Sequence, residues 1–183
     1  MIILLGKTAS GKDTVLNRLV KEHGYKKIVT YTTRPKRERE IQDVTYHFIG
    51  EDEFKEKIES GFFLEYKEYR SAHGTWYYGS AKEDYEKSDE KTVIILTPDG
   101  YRDFLREYPN MDHTSIYLYS NNKTLENRLI KRGDDPKEAK RRLDSDNKDF
   151  KSVQDWADKI VYNNENNAVD DVVNKILEYV NAR

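Results

Sequence analysis

A glycine-bounded segment near the start of the chain has the residue types and the spacing that bind phosphate groups. Residues 6–12 read Gly-Lys-Thr-Ala-Ser-Gly-Lys, which fits the pattern G-x-x-x-x-G-K. The glycines let the backbone curl so that its N–H groups point at phosphate oxygens, and the helix that follows adds its positive N-terminal end. Lys12 would neutralise charge on the β- and γ-phosphates of a nucleoside triphosphate. The segment therefore predicts a site for ATP.

The residue after this lysine departs from the usual pattern. A Ser or Thr hydroxyl normally contacts Mg²⁺ here, but the chain has Asp13, followed by Thr14. A carboxylate can hold magnesium directly or through water. An acid in the first turn of a helix also stabilises its positive end without any metal, so both interpretations stay open. The candidate ATP-binding residues of the segment are Gly6, Ala9, Ser10, Gly11, Lys12, Asp13 and Thr14, with Asp13 as the candidate metal ligand.

The elements around this loop predict an α/β fold. Short apolar runs predict buried strands at residues 1–5, 27–31, 92–96, 115–119 and 160–162. Helical patterns follow the phosphate loop and recur at residues 100–107, 123–131, 136–150 and 169–180. Strands alternating with helices indicate a doubly wound parallel sheet. Between residues 32 and 82 the pattern differs, with aromatic stretches at 46–49, 62–69 and 75–78 that predict antiparallel strands and a helix at 52–59.

Composition limits the classes of function. The net charge is −2, from 32 basic and 34 acidic residues, which argues against nucleic-acid binding because that usually needs a basic surface. Cysteine is absent, which excludes disulfides and thiolate chemistry and agrees with a cytoplasmic location. The apolar run at residues 2–5 is too short for a signal peptide or a membrane span. We therefore expect a cytoplasmic protein that does not bind membranes.

Several motifs in the middle of the chain resemble those of guanylate kinases. Residues 32–40 read Thr-Thr-Arg-Pro-Lys-Arg-Glu-Arg-Glu, and residues 46–48 read Tyr-His-Phe. Together they look like the family's acceptor-binding signature, T-T-R-x-x-R-x-G-E…Y-x-F. Residues 63–65 (Phe-Leu-Glu) and 78–80 (Tyr-Gly-Ser) match two further family segments in the expected order. The resemblance implies an ATP-dependent nucleoside monophosphate kinase that uses Mg²⁺ with ATP and phosphorylates GMP, and also dGMP.

The resemblance assigns roles to the residues of these motifs. It implies that Arg34 and Arg37 hold the acceptor phosphate, and forked arginine donors suit a phosphate dianion. The hydroxyls of Tyr46 and Tyr78 would add hydrogen bonds to it. Glu65 would accept hydrogen bonds from guanine N1 and N2, and adenine would leave this carboxylate unpaired. The hydroxyls of Thr30 and Ser80 would read guanine O6.

The chain departs from the family pattern in three places. Arg39 stands where the family has a glycine before the acid, and Asp43 stands for the glycine ahead of the tyrosine. Asp tolerates left-handed backbone better than most residues. At the end of the strand at 92–96, Ile95 and Thr97 occupy positions where the family has acids, which leaves Asp99 as the nearest carboxylate. We expect Asp13 to replace part of the missing magnesium anchor.

A second arginine-rich region resembles the family's lid. Arg128 and Arg132 are four residues apart on a predicted helix and share one face. A further pair follows, of which Arg142 rather than Arg141 is assigned to the lid. In the family such arginines close over ATP and stabilise the transferring phosphoryl group, and Asn163 occupies a family position near the adenine. The catalytic residues implied by the resemblance are Lys12, Arg34, Arg128, Arg132 and Arg142.

The expected architecture is a single guanylate-kinase-like domain over residues 1–183. It has a three-layer P-loop core with a parallel sheet (1–32, 83–121 and 152–183), an inserted β-rich acceptor-binding lobe (33–82) and a helical lid (122–151). No general base is evident, and the histidines, including His47 and His73, are expected to be structural. Two alternatives remain open. One is a kinase of the same fold that acts on another nucleoside monophosphate or a sugar phosphate, and the other is a non-catalytic guanylate-kinase-like binding module.

Overall fold

The computed structural model describes residues 1–38, 40–71 and 74–182. Arg39 and His73, about which the sequence raised expectations, lie outside these residues. The chain divides into two compact units. The first unit comprises Met1–Lys27, Glu90–Pro98 and Asp112–Arg183, and the second comprises Ile28–Asp89 and Asp99–Met111.

The described residues form strands and helices in a mixed order. The strands are β1 (Ile2–Leu5), β2 (Lys26–Lys27), β3 (Tyr31–Thr32), β4 (His47–Phe48), β5 (Phe63–Ser71), β6 (Gly74–Ala81), β7 (Thr92–Ile95), β8 (Thr114–Tyr119) and β9 (Lys159–Tyr162). The helices are α1 (Lys12–His23), α2 (Glu51–Glu59), α3 (Lys82–Glu86), α4 (Pro98–Glu107), α5 (Asn122–Arg132), α6 (Pro136–Asp149), α7 (Val153–Trp156) and α8 (Val169–Asn181).

The first unit is built on a five-stranded sheet in the order β2-β7-β1-β8-β9. Every pairing in this sheet is parallel. The central strand β1 is buried along its whole length, which explains its uninterrupted apolar sequence. Apolar side chains of α1 and α8, including Leu19 and Ile176, join Ile2 and Leu4 in one core. The prediction of an α/β fold with a parallel sheet is therefore confirmed.

The second unit contains a four-stranded sheet in the order β4-β3-β6-β5. The long β5–β6 hairpin is antiparallel, and β3 is antiparallel to β6. The prediction of antiparallel strands is wrong for β4, which pairs with β3 in parallel. Phe54 on α2 is fully buried and stacks on Phe63, with ring centroids 4.4 Å apart. The same Phe54 ring lies 5.5 Å from that of Tyr77, so α2 packs against both β5 and β6.

The single strand predicted at residues 27–31 is wrong, because two strands of different sheets occupy this stretch. Lys26–Lys27 pairs with β7 in the first unit, and Tyr31–Thr32 pairs with β4 and β6 in the second. A continuous apolar pattern cannot show which sheet edge each residue joins. The short helices α3 and α7 were not predicted, since one turn is too short to produce a periodic pattern. Among the described residues, no helix is both long and apolar enough to cross a membrane.

Candidate active site

The phosphate-loop segment connects β1 to α1 and is curled by two left-handed residues. Ala9 has φ 58°, and Gly11, directly before α1, has φ 93°. A side chain at Gly11 would meet Asn163 Nδ2 at 2.6 Å. Left-handed residues that alternate with right-handed ones turn successive backbone N–H groups into one concavity, which suits an anion. The segment singled out by its glycine spacing therefore forms a tight loop with left-handed residues directly before α1.

The side chain of Lys12 folds back over this loop. Its Nζ donates a hydrogen bond to the carbonyl of Lys7 at 2.8 Å and lies 3.5 Å from Ser10 Oγ. Burial lowers the pKa of Lys12, while the charges of Asp13 and Asp146 oppose that shift. The amino group of Lys12 thus lies at the loop backbone, beside Lys7 and Ser10.

Asp146 and Asn147, near the end of α6, also contact the phosphate loop. Asp146 Oδ2 accepts a hydrogen bond from the backbone N–H of Thr8 at 2.5 Å. The neighbouring Asn147 Oδ1 accepts one from Lys7 Nζ, also at 2.5 Å. Burial raises the pKa of Asp146. The sequence analysis missed both residues, because nothing in the local pattern of a charged helix indicates a contact 138 residues away.

Two further residues predicted from the sequence donate hydrogen bonds to backbone carbonyl groups of the phosphate loop. Asn163 is 5% exposed, and its Nδ2 donates to the carbonyl of Ser10 at 2.8 Å. Arg128 on α5 donates to the carbonyl of Ala9 at 3.2 Å and lies 3.4 Å from Asn163 Oδ1. Burial lowers the pKa of Arg128. The structure therefore brings both residues to the loop backbone.

The remaining lid arginines form a separate ionic cluster. Arg132 pairs with Asp134, and its Nε lies 2.8 Å from Asp134 Oδ1. Arg142 is 2.9 Å from Glu138 and 3.8 Å from Asp134, so it shares an acid with Arg132. The adjacent Arg141 also pairs with Glu138 at 2.8 Å. Arg132 and Arg142 thus lie in one cluster, whereas Arg128 contacts the phosphate loop.

The candidate metal ligand Asp13 lies exposed in the first turn of α1, next to an exposed Thr14. Among the described residues, no group of three or more His, Cys, Asp or Glu side chains is arranged to hold a metal ion. A single carboxylate with an adjacent hydroxyl suits Mg²⁺ that is held mainly by phosphates and water, which is the usual mode for this ion.

In the second unit, Arg34 is the centre of a polar cluster. It is 6% exposed, its NH2 lies 2.6 Å from Glu40 Oε1, and its Nε donates to the hydroxyl of Tyr78 at 3.2 Å. Its guanidinium also lies 5.8 Å from the ring centroid of Tyr46. The backbone N–H of Arg37 donates to Glu40 Oε2 at 2.8 Å, and the residue itself is exposed. Tyr46 and Tyr78 therefore contact the Arg34 guanidinium, and Glu40 links Arg34 to the backbone of Arg37.

Glu40 is the part of this cluster whose role the sequence analysis missed. Burial alone would raise its pKa, but hydrogen bonds and charge from Arg34 and Arg37 outweigh burial and lower it. The sequence did contain a signal for this role, because the motif places Glu40 six residues after Arg34, its partner in the fold. Asp43 has φ 61°, as expected from the tolerance of aspartate for left-handed backbone. Its Oδ1 lies 2.7 Å from His47 Nδ1.

A third cluster surrounds Glu65 on β5. Ser80 Oγ donates to Glu65 Oε1 at 2.7 Å and lies 2.8 Å from the hydroxyl of Tyr85. A Cβ added at Gly100 would lie 3.2 Å from Glu65 Oε2, so the helix backbone closely approaches the carboxylate. Burial raises the pKa of Glu65, and the hydrogen bond from Ser80 opposes that shift. Thr30, also expected here, is partly buried, and its carbonyl accepts the His47 N–H at 2.9 Å.

The positions at which the family has acids carry no replacement carboxylate. Ile95 ends β7 and packs against the core of the first unit. Thr97 follows as a partly buried residue. Asp99 pairs with Arg102 and lies 3.8 Å from Lys67, so its charge is shared with two cations.

Comparison with known proteins gives consistent matches. The guanylate kinase family model matches residues 1–183. A guanylate kinase of Wolinella succinogenes is 36% identical over 145 residues, which cover 76% of this chain and 65% of the relative. One of Clostridium acetobutylicum is 32% identical over 185 residues, which cover 100% of this chain and 85% of the relative.

A solved structure supports the fold independently. The crystal structure of guanylate kinase from Anaplasma phagocytophilum matches with a TM-score of 0.71 and 19% identity, covering 100% of this chain and 84% of that one. At this identity the match concerns the fold alone. The family model and the curated relatives confirm the resemblance noted in the motifs, and the chain belongs to the guanylate kinase family.

Proposed function

We propose that this chain transfers the γ-phosphoryl group of ATP to GMP, giving ADP and GDP, and accepts dGMP as well. The observation that carries the choice of acceptor is the Glu65 carboxylate, which accepts a hydrogen bond from Ser80 Oγ at 2.7 Å. Guanine offers N1–H and N2–H to such a carboxylate. Adenine offers no donor at N1 and would leave the carboxylate without a hydrogen bond from N1 of the base, at a cost of about 1–3 kcal/mol.

The acceptor phosphate is held by the cluster around Arg34. The Arg34 guanidinium has a fixed orientation because Glu40 and Tyr78 contact different nitrogens of the group. The exposed Arg37 supplies the second positive charge, and the hydroxyls of Tyr46 and Tyr78 supply neutral donors. Such a set of charged and neutral donors orients a phosphate dianion and fixes the direction of its attacking oxygen.

The donor nucleotide is held by the phosphate loop. Backbone N–H groups of the loop and Lys12 neutralise the phosphates, while Asn163 and Arg128 hold the loop in shape through its carbonyls. Arg132 and Arg142 are the cationic residues proposed to stabilise charge on the transferring group. The Asp13 carboxylate, with the hydroxyl of Thr14 next to it, would bind Mg²⁺ beside ATP. The ion would neutralise charge on the β- and γ-phosphates.

The chemistry needs positioning and charge stabilisation more than a general base. The attacking oxygen belongs to a phosphate that is already anionic, so no proton must be removed before attack. Phosphoryl transfer places charge on the equatorial oxygens of the moving group, and positively charged side chains stabilise it. This agrees with a site made of lysine, arginine and tyrosine.

A panel of acceptors tests the proposal. ADP release is measured with GMP, dGMP, AMP, CMP, dTMP and a sugar phosphate, with Lys12→Met as the control for background hydrolysis. We expect turnover with GMP and dGMP and little with the others. Turnover with dTMP or CMP but not with GMP would contradict the proposal. Failure to bind ATP by calorimetry would indicate a non-catalytic binding module. The presence of Lys12, Arg34, Arg37 and Glu65 argues against that alternative.

A cytoplasmic location and the absence of nucleic-acid partners stay predictions from composition.

A further inference from the structure

Ser80 has a single hydroxyl proton, which it donates to Glu65. Ser80 Oγ donates to Glu65 Oε1 at 2.7 Å, and the same Oγ lies 2.8 Å from the hydroxyl of Tyr85. A hydroxyl has one donor and two acceptor lone pairs. Whenever Glu65 is ionised, Tyr85 must therefore donate to Ser80. The three side chains form a directed chain of hydrogen bonds that ends on the carboxylate.

The first two members of this chain are shielded from water. Ser80 and Tyr85 are both 0% exposed. Tyr85, on α3, packs against Phe104 and Tyr108 with ring centroids 5.6 and 6.0 Å away. Burial, followed by the charge of Glu65, raises the pKa of Tyr85 well above its ordinary value. The hydroxyl of Tyr85 therefore keeps its proton and acts as a permanent donor.

The carboxylate at the end of the chain needs this support. Burial and the charge of Asp103 raise the pKa of Glu65, while the hydrogen bond from Ser80 and the charge of Lys67 lower it. Only the ionised form offers both oxygens as acceptors to guanine N1–H and N2–H, because the protonated form turns one oxygen into a donor. A donor that is itself hydrogen-bonded is polarised and binds a carboxylate more strongly.

We propose that Tyr85 is a specificity-determining positioning residue: through Ser80 it holds Glu65 ionised and oriented toward the guanine edge. The inference rests on the proposed function, because it assumes that Glu65 binds guanine. It also gives Ser80 a role different from the O6 contact implied by the family resemblance. In this arrangement Ser80 donates its proton to the carboxylate, and one of its two lone pairs accepts from Tyr85.

The first test compares Tyr85→Phe with Tyr108→Phe. Tyr108 lies in the same aromatic group, but its hydroxyl is 3.3 Å from the carbonyl of Lys82 and from Glu86. In Tyr85→Phe we expect the KM for GMP to rise by roughly five- to thirtyfold, as for loss of a buried hydrogen bond. The KM for ATP and kcat should change little, and Tyr108→Phe should resemble the wild type.

Two readouts separate positioning from a general structural effect. The first is the pH dependence of the KM for GMP. Removing the Tyr85 donor weakens the bond that favours ionised Glu65, so the pH below which GMP affinity falls should move upward, with Asp103 and Lys67 unchanged. The second is discrimination against inosine monophosphate, which lacks the N2 amino group. Tyr85→Phe should affect GMP more than inosine monophosphate and so reduce the ratio of their kcat/KM values.

A double-mutant cycle with Ser80→Ala tests whether the effect passes through Ser80. Because Tyr85 acts only by way of that hydroxyl, Tyr85→Phe should add little in the Ser80→Ala background. Full additivity would overturn the proposal. So would a Tyr85→Phe chain with the same KM for GMP and the same pH profile as Tyr108→Phe, or one that weakens ATP and GMP equally.

Calorimetric GMP binding keeps this test independent of turnover. If the wild-type chain binds GMP without phosphorylating it, the proposed function fails, and the order of affinities among the variants still decides the role of Tyr85. If GMP does not bind the wild-type chain at all, both proposals fail together.

Discussion

Asp146 Oδ2 accepts a hydrogen bond from the backbone N–H of Thr8 at 2.5 Å, inside the loop that the proposed function reserves for phosphates. The carboxylate is attracted there by Lys12 and Lys7, whose charges oppose the effect of burial on its pKa. A carboxylate at this position competes with phosphate oxygens for the same N–H group and repels their charge.

We therefore expect Asp146→Ala to bind ATP more tightly than the wild type. Removing one like charge near the phosphates is worth about 1–2 kcal/mol, or roughly five- to thirtyfold in Kd. Calorimetry without Mg²⁺ measures this directly. Asp144→Ala is the matched control, since it makes the same charge change at an exposed position on α6. Equal or weaker ATP binding by Asp146→Ala without Mg²⁺ would contradict the prediction. Weaker binding only when Mg²⁺ is present would indicate that the carboxylate also serves the metal.

Gly100→Ala should weaken GMP binding without lowering the stability of the chain. Gly100 lies in the first turns of α4, where Ala is favoured over Gly by up to about 1 kcal/mol. Its new Cβ would lie 3.2 Å from Glu65 Oε2, and that carboxylate must move by a few tenths of an ångström. We expect an unchanged or slightly higher free energy of unfolding and a KM for GMP raised by roughly three- to tenfold.

The control for this prediction is Gly50→Ala, because a Cβ added at Gly50 has nothing within 4 Å. Unfolding in urea and steady-state kinetics are measured on both variants. Equal KM values for GMP in Gly100→Ala and the wild type would mean that the position of Glu65 tolerates this displacement.

Local patterns predicted the first unit well because its elements depend on neighbouring residues. The buried run of β1, the glycines of the loop and the apolar face of α1 lie within about two dozen consecutive residues. Motif spacing likewise singled out Arg34 and Glu65, whose roles at the acceptor stay predictions. These features need no knowledge of which distant residues come together.

Contacts between distant segments were beyond the reach of the same patterns. Asp146 lies 138 residues from Thr8, so only the folded chain brings them together. Tyr85 sits in a short helix without periodicity, and its sequence neighbours are charged. The stretch around Lys27 and Tyr31 was interpreted as one strand, because pairing partners, rather than composition, decide which sheet each residue joins.

Glu40→Gln should destabilise the chain in a manner that depends on pH. The variant keeps the shape of the side chain but removes the charge that pairs with Arg34, which is only 6% exposed. We expect the free energy of unfolding at neutral pH to fall by about 1–3 kcal/mol and the KM for GMP to rise. Urea unfolding across the pH range measures the first effect.

The sign of the pH dependence follows from the lowered pKa of Glu40. Its ionised form stabilises the folded chain above the ordinary value of 4.5, and this contribution is lost as the pH falls through the lower folded value. The difference between Glu40→Gln and the wild type should therefore shrink in acid. Glu38→Gln, at an exposed position in the same loop, should show neither effect. A difference that grows in acid would have the opposite sign to that required by the Arg34–Glu40 pair.

Asp13→Ala distinguishes a magnesium ligand from a residue that only stabilises its helix. Asp13 is exposed, so its loss should lower the free energy of unfolding by at most about 0.3–1 kcal/mol, the usual effect of an acid in the first turn. If the carboxylate holds Mg²⁺, the free Mg²⁺ concentration for half-maximal turnover should rise several-fold at saturating ATP. Asp13→Ser, which restores a hydroxyl after the lysine, should recover much of the wild-type Mg²⁺ dependence. An Asp13→Ala enzyme with wild-type turnover and Mg²⁺ dependence would leave Asp13 with the helix role alone.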